Sequence, residues 1–233
     1  MQHNVKPVTI FTANLGSGKT EISINFSRLL QQRGEKVSLV DLDIINPYFR
    51  ARLAKDNLAS QGLRVICPPG HLVNADVPAL TPAIRGAMQA SEGYCVCDVG
   101  GDDVGAIAMG MFKSYLPEGR YDLFFVVNTC RPFTRDFESV VKMMQGIEKN
   151  SRLNVTGLVS NTNLGRNTDA PVMAEGYHRV SEIGKRLGLP VVFMASPRAL
   201  VAEVEALLPA VPVLPLDFYM KTPWEEAFNT ADD

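Results

Sequence analysis

The chain has 233 residues, 46% hydrophobic and 21% charged, enough apolar material for a sizeable core and too much for a disordered chain. A formal net charge of −2 excludes the broad basic face of a nucleic-acid binder. The longest wholly apolar run, "LFFVV", covers about five residues against the ~20 that span a bilayer, so no membrane span is expected.

In chain order, "VTIFTA" is the first expected strand, followed by "NLGSGKT" and by helical spacing of Ile22, Phe26, Leu29 and Leu30. "KVSLVDLD" and "RVICPP" follow as strands. Thr81 and Pro82 read as an N-cap with proline in the first helical position. "YCVCDVG" is the next strand, then a helix with Val104, Ile107, Met111 and Tyr115 on its inner face. "YDLFFVVNT" is apolar almost throughout, as a central strand buried on both faces should be. Phe137, Val140, Val141, Met144 and Ile147 mark another helix, and "NVTGLVSN" another strand. A helix stopped by the glycine of "RLGLP", then "PVVFMAS" and "VPVLPL", complete the pattern. Such alternation predicts a single α/β domain over 1–233, its mostly parallel twisted sheet carrying helices on both faces.

The chemistry concentrates at strand ends. In "ANLGSGKT" small residues turn the chain between a strand and a helix, where backbone N–H groups converge on anionic oxygens. Lys19 follows for the β- and γ-phosphates and Thr20 for Mg²⁺, with Ala13 where G-x-x-x-x-G-K-[ST] has its first glycine. Asp41 and Asp43 end the second strand, and Asp98, followed by Gly100 and Gly101, ends a later one. Carboxylates there can hold Mg²⁺ or orient an attacking water, and D-x-x-G lets a backbone N–H turn toward a γ-phosphate.

Together, "NLGSGKT", "VDLD" and "CDVGG" resemble the SIMIBI class of P-loop NTPases. That class includes the MinD/ParA ATPases, the nitrogenase iron protein, the CooC-type nickel-insertion ATPases and CobQ/CobB-type synthetase domains. The resemblance implies a nucleotide-binding run through Asn14, Leu15, Gly16, Ser17, Gly18, Lys19, Thr20 and Glu21. It implies that Lys19, Asp43 and Asp98 are catalytic, Asp43 positioning water, and that Thr20, Asp43 and Asp98 surround Mg²⁺. By likeness to the nitrogenase iron protein, Asn161 in "GLVSNTNLGRN" would meet adenine. No N-K-x-D guanine signature is present, so ATP is the expected nucleotide. MinD/ParA members carry a lysine at the position of Asn14, which reaches the partner's phosphates in a dimer; here that charge is missing.

Other residues read less specifically. Cys95 and Cys97 form a C-x-C pair like that of CooC-type metal sites, but their strand position favours burial in the core. Arg50, Arg52, His71, Arg131 and Arg198 lie near strand ends, where they could meet ligand or solvent. The expected function is a slow, cytoplasmic Mg-ATPase of the MinD/ParA/CooC kind, switching a homodimer or a client protein. No secretory leader is read, and no nucleic acid or membrane partner is expected. The alternative is an ATP-dependent small-molecule kinase or a ligase like dethiobiotin synthetase.

Overall fold

The computed structural model of the chain describes residues 5–43, 54–67, 81–101, 103–116 and 119–220. Every expected strand is present: β1 (Val8–Ala13), β2 (Val37–Leu42), β3 (Arg64–Ile66), β4 (Tyr94–Gly100), β5 (Tyr121–Val127), β6 (Gly157–Ser160), β7 (Val191–Pro197) and β8 (Val213–Leu216). They form one sheet of eight strands in the order β3-β2-β4-β1-β5-β6-β7-β8. Every pairing in it is parallel. The strand order reverses direction at β1, so the chain opens a crevice at the carboxyl ends of the central strands.

The described helices are α1 (Lys19–Gln32), α2 (Lys55–Ser60), α3 (Pro82–Gln89), α4 (Asp103–Gly110), α5 (Phe137–Ser151), α6 (Ala170–Leu187) and α7 (Val201–Leu207). The period of two along β1 sends Ile10 to one face and Phe11 to the other. On the first face Ile10 joins Ile84, Met109, Val140, Met144, Ile147 and Val180 from α3 to α6. On the second, Phe11, Phe26, Phe124 and Phe193 form an aromatic cluster with neighbouring centroids 5.3–6.3 Å apart. Phe26 brings α1 to this face and so fixes the helix behind the phosphate loop. The N-cap at Thr81, accepting from Ile84 N, and the left-handed stop at Gly188 form as expected. Among the described residues no helix is long and apolar enough to cross a membrane.

One expected helix face is wrong. Ile107 of α4 is 52% exposed, while Gly105, Ala106, Ala108 and Met109 are buried. A β-carbon on Gly105 would stand 2.3 Å from the Gly100 carbonyl oxygen. The small residues therefore take the close side, and the bulky Ile107 turns outward. Apolar residues surround α4 on nearly every side, so spacing alone could not orient it.

After β8 the chain returns to α1. Asn25 Nδ2 donates to the Asp217 carbonyl at 2.8 Å, and Asp217 N donates to Asn25 Oδ1 at 2.9 Å. Glu21 Oε1 accepts from Tyr219 N at 3.0 Å and from Met220 N at 2.7 Å. Burial pushes the Glu21 pKa up to about 7 although both amides favour its charged form. Between the ordinary 4.5 and about 7, the folded protein holds a proton that the unfolded chain releases. The contribution of this group to stability is thus full on the acid side and lost as pH rises through about 7. Denaturant titration at pH 5 and pH 8 should show Glu21→Gln losing less stability than wild type on alkalinisation, by on the order of 1–3 kcal/mol. The glutamine oxygen keeps the amide bonds without the charge, and equal losses would contradict the assignment.

Candidate nucleotide site

The turn between β1 and α1 is shaped by glycine. Gly16 and Gly18 have φ of 75° and 82°, in the left-handed region that other residues avoid. Ser17 N donates to the Asn14 carbonyl at 3.2 Å and closes the turn. Gly18 caps α1 without a side-chain hydrogen bond, so nothing from the cap residue covers the helix N-terminus. Ser17 Oγ is buried without a partner, as a polar atom waiting for a ligand would be. Leu15, by contrast, is 64% exposed.

Behind the turn lies a buried ionic cluster. Lys19 Nζ is 2.5 Å from Asp43 Oδ2, with both side chains almost inaccessible to solvent. Thr20 Oγ1 donates to Asp98 Oδ2 at 2.7 Å. Asp98 Oδ1 is buried with no partner. Asp41 Oδ1 accepts from Asp43 N at 3.1 Å and shapes the end of β2. Burial opposes the charge on Lys19, but Asp98, Asp43 and Asp41 outweigh it and hold its pKa above the ordinary lysine value. Burial dominates at Asp98, with Asp43 and Asp41 adding repulsion, and its pKa rises to about 7 despite Lys19 and Thr20.

Three carboxylates around one ammonium leave negative charge uncompensated when all are ionised. The free Asp98 oxygen, its Thr20 partner and Asp43 are hard oxygen donors of the kind Mg²⁺ prefers. The residues present therefore fit the metal, and the open glycine turn fits a phosphate chain.

Gly101 has a structural task. A β-carbon there would lie 1.8 Å from the Ala13 carbonyl oxygen, so only glycine lets the end of β4 approach the start of the phosphate loop. Its neighbour Asp98 is thereby held level with Thr20.

The loops after β5 and β6 form the far wall. Asn128 Oδ1 accepts from Cys130 N at 3.0 Å and from Asn163 N at 3.3 Å, and its amide donates to the Asn163 carbonyl. Thr129 and Thr162 share a hydroxyl hydrogen bond of 3.0 Å. Gly176 of α6 makes room for Thr162, whose Oγ1 lies 2.2 Å from where a β-carbon would be.

The sequence-identified residues fall as follows. Lys19, Thr20, Asp43 and Asp98 come together next to Ser17 at the carboxyl ends of β1, β2 and β4. Asn161 arrives there too, but its amide donates to the Ser17 carbonyl at 2.7 Å, and its Nδ2 occupies the space above Gly18. It braces the phosphate loop. Glu21 turns away to Tyr219 and Met220. Cys95 and Cys97 are buried in the core with sulfurs 3.7 Å apart, and among the described residues no three His, Cys, Asp or Glu side chains are grouped to hold a metal ion. Arg198 forks onto Asp217 at 2.7 and 2.6 Å, which makes it a clamp on the chain after β8. Arg50, Arg52 and His71 lie outside the described residues. Arg131, given little weight in the sequence, stands beside Gly16.

Known proteins share this architecture. The signal recognition particle receptor FtsY of Elizabethkingia anophelis, solved in complex with GDP, is similar at 16% identity and TM-score 0.54, over 84% of this chain and 59% of that one. FtsY of Thermotoga maritima is similar at 18% identity and TM-score 0.56, over 88% and 70%. FtsY of Mycoplasma mycoides is similar at 10% and 0.55, over 84% and 61%. The chain thus spans about three fifths of the length of the first structures it resembles. At these identities the likeness is one of fold. No curated protein is similar in sequence at a significant level.

The expectation of ATP, as cofactor and as binding partner, does not stand. The similar folds named above are FtsY proteins, one of them a signal recognition particle receptor solved in complex with GDP. The expectation of an ATP-specific MinD/ParA-type enzyme falls with it, leaving a nucleotide-binding P-loop switch fold. Residues 8–192, well over half of the chain, match the family CbiA, the CobQ/CobB/MinD/ParA nucleotide binding domain, and the chain belongs to that family within the SIMIBI class of P-loop NTPases.

Proposed function

We propose that the chain is a nucleotide-driven switch that binds a nucleoside triphosphate with Mg²⁺, hydrolyses it slowly and relays the change to a partner protein. The observation that carries this reading is the buried pairing of Lys19 with Asp43 beside Thr20 and Asp98. The Lys19 ammonium cannot serve Asp43 and a triphosphate equally. As phosphate oxygens take up the ammonium, the Asp43 carboxylate is freed at the end of β2, where it can orient water for attack. Loss of the terminal phosphate returns Lys19 to Asp43. Nucleotide state is thereby read out as the position of one strand end.

The backbone amides of the turn from Asn14 to Thr20 that are not already bonded within it would hold the phosphates, while Thr20 and Asp98 would hold the metal. Bound there, Mg²⁺ supplies charge neutralisation at the terminal phosphates. Asn161 keeps Ser17 and Gly18 in place from behind. A protein partner is favoured by exposed apolar side chains in loops that leave the carboxyl ends of strands: Leu15, Phe133, Leu164 and Phe218 are each more than half exposed.

Thermal unfolding tests the binding step. A nucleoside triphosphate with Mg²⁺ should raise the melting temperature more than the matching monophosphate, because the loop grips phosphates beyond the first; saturation at 100 Kd is worth ~2.7 kcal/mol. Lys19→Ala should abolish that protection, and a folded Lys19→Ala protein protected like wild type would remove the phosphate-loop assignment. Asp43→Asn and Asp98→Asn should keep nucleotide affinity within a few-fold while phosphate release falls by ~10² or more. Wild-type release from both variants would reduce the carboxylates to structural caps.

A further inference from the structure

Among the described residues, the buried cluster offers the proposed hydrolysis no positive charge beyond that of Lys19. Lys19 is the cation of the buried cluster, and three carboxylates surround it. Position 14 contributes an amide, with donors but no formal charge. Yet splitting the terminal phosphate gathers negative charge on the bridging oxygen, and stabilising that charge is where such sites gain most of their rate.

The turn after β5 brings a guanidinium to this place. A β-carbon on Gly16 would lie 3.7 Å from Arg131 Cζ and 3.8 Å from its Nε and Nη2, so the group stands directly against the phosphate loop. Its backbone is anchored. Arg131 N donates to the Asn128 carbonyl at 3.0 Å, Thr134 N donates to the Arg131 carbonyl at 3.1 Å, and Thr134 Oγ1 donates to the Asn128 carbonyl at 2.7 Å. Asn128 and Thr134 are fully buried, and Asn128 is bonded to the loop after β6. The side chain itself is exposed and, among the described residues, pairs with no carboxylate. The contrast with Arg198, Arg135 and Arg179 is direct, because each of those has an acidic partner. An anchored backbone presenting an unpaired guanidinium over a phosphate cradle suits a bidentate hold on phosphate oxygens.

We infer that Arg131 is a catalytic residue acting in cis, its guanidinium binding the charge that develops on the phosphates during hydrolysis. The inference rests on the nucleotide reading above. In the step, a water oxygen bonds to the terminal phosphorus as the bond from that phosphorus to the bridging oxygen breaks. The electron pair stays on the diphosphate, and the water proton passes to the released phosphate. Arg131 donates hydrogen bonds to the oxygens that gain charge and is itself unchanged. The resulting enzyme needs no cation from a second copy, so its rate per molecule is independent of protein concentration.

Single-turnover phosphate release from GTP and from ATP, each with Mg²⁺, tests this in wild type, Arg131→Ala and Arg131→Lys. Affinity is followed in parallel with fluorescent non-hydrolysable analogues of both nucleotides. An arginine in this role is worth ~10³ or more in rate, so Arg131→Ala should lose at least ~10²-fold in turnover with affinity changed only a few-fold. Arg131→Lys should recover part of the rate, and aluminium fluoride should tighten diphosphate binding to wild type but not to Arg131→Ala. Unchanged turnover in Arg131→Ala, in a wild type that binds and hydrolyses, overturns the role of Arg131 alone. An equal fall in rate and affinity also overturns it, by showing a group that holds the ground state and transition state alike. A wild type that binds neither nucleotide overturns the nucleotide reading and this inference with it. The exposed position of Arg131 and its lack of an acidic partner among the described residues make misfolding of the variants a poor explanation of any loss.

Discussion

The contact on which the site depends is the ion pair of Lys19 and Asp43, closed off from water between the start of α1 and the end of β2. A buried pair of this kind adds little net stability, because desolvating two charges cancels much of their attraction. Its value is positional. Removing either partner strands the other in the interior, so the pair is held until something of equal charge replaces one member. A triphosphate answers that description and an uncharged ligand does not. Under the proposed function, selectivity for polyanions is thus built into the resting protein.

The remainder of the fold keeps this pair in register. β1 and β4 run side by side from Val8 and Cys95 to Ala13 and Gly100, which sets Asp98 opposite Phe11 and brings it level with the start of α1. β2 pairs with β4 so that Asp41 stands across from Asp98. A slip of one residue in either pairing would turn a carboxylate to the opposite face of the sheet. The aromatic cluster of Phe11, Phe26, Phe124 and Phe193 prevents such slips on one face, and packing from α3 to α6 prevents them on the other.

The strands were legible in the sequence because β-branched and aromatic runs are punctuated by glycine, proline and charge. The phosphate loop, Asp43 and Asp98 were legible because each sits where an apolar run stops. The inner face of α4 was not, since its glycine and alanines bury through close approach and leave Ile107 outside. Asn161 was read as a site residue from its place at a strand end, but the hydrogen bond from its amide nitrogen to the Ser17 carbonyl, 144 residues away in the chain, has no local sequence signal. Arg131 was read only as a residue that could meet ligand or solvent, for a related reason. Its place depends on Asn128 bonding to Asn163, a contact 35 residues apart in the chain, which no local pattern records.

The contact of Gly101 with the Ala13 carbonyl has a mechanical consequence. With no side chain between them, the carboxyl ends of β1 and β4 are welded, and little relative travel is left before atoms collide. On the neighbouring side β2 carries Asp43, held to Lys19 by charge rather than by steric fit. An electrostatic tether can lengthen gradually, whereas a steric stop cannot. Under the proposed switch, displacement at the phosphate loop is therefore carried by Asp43 at the end of β2, with β4 as the fixed side.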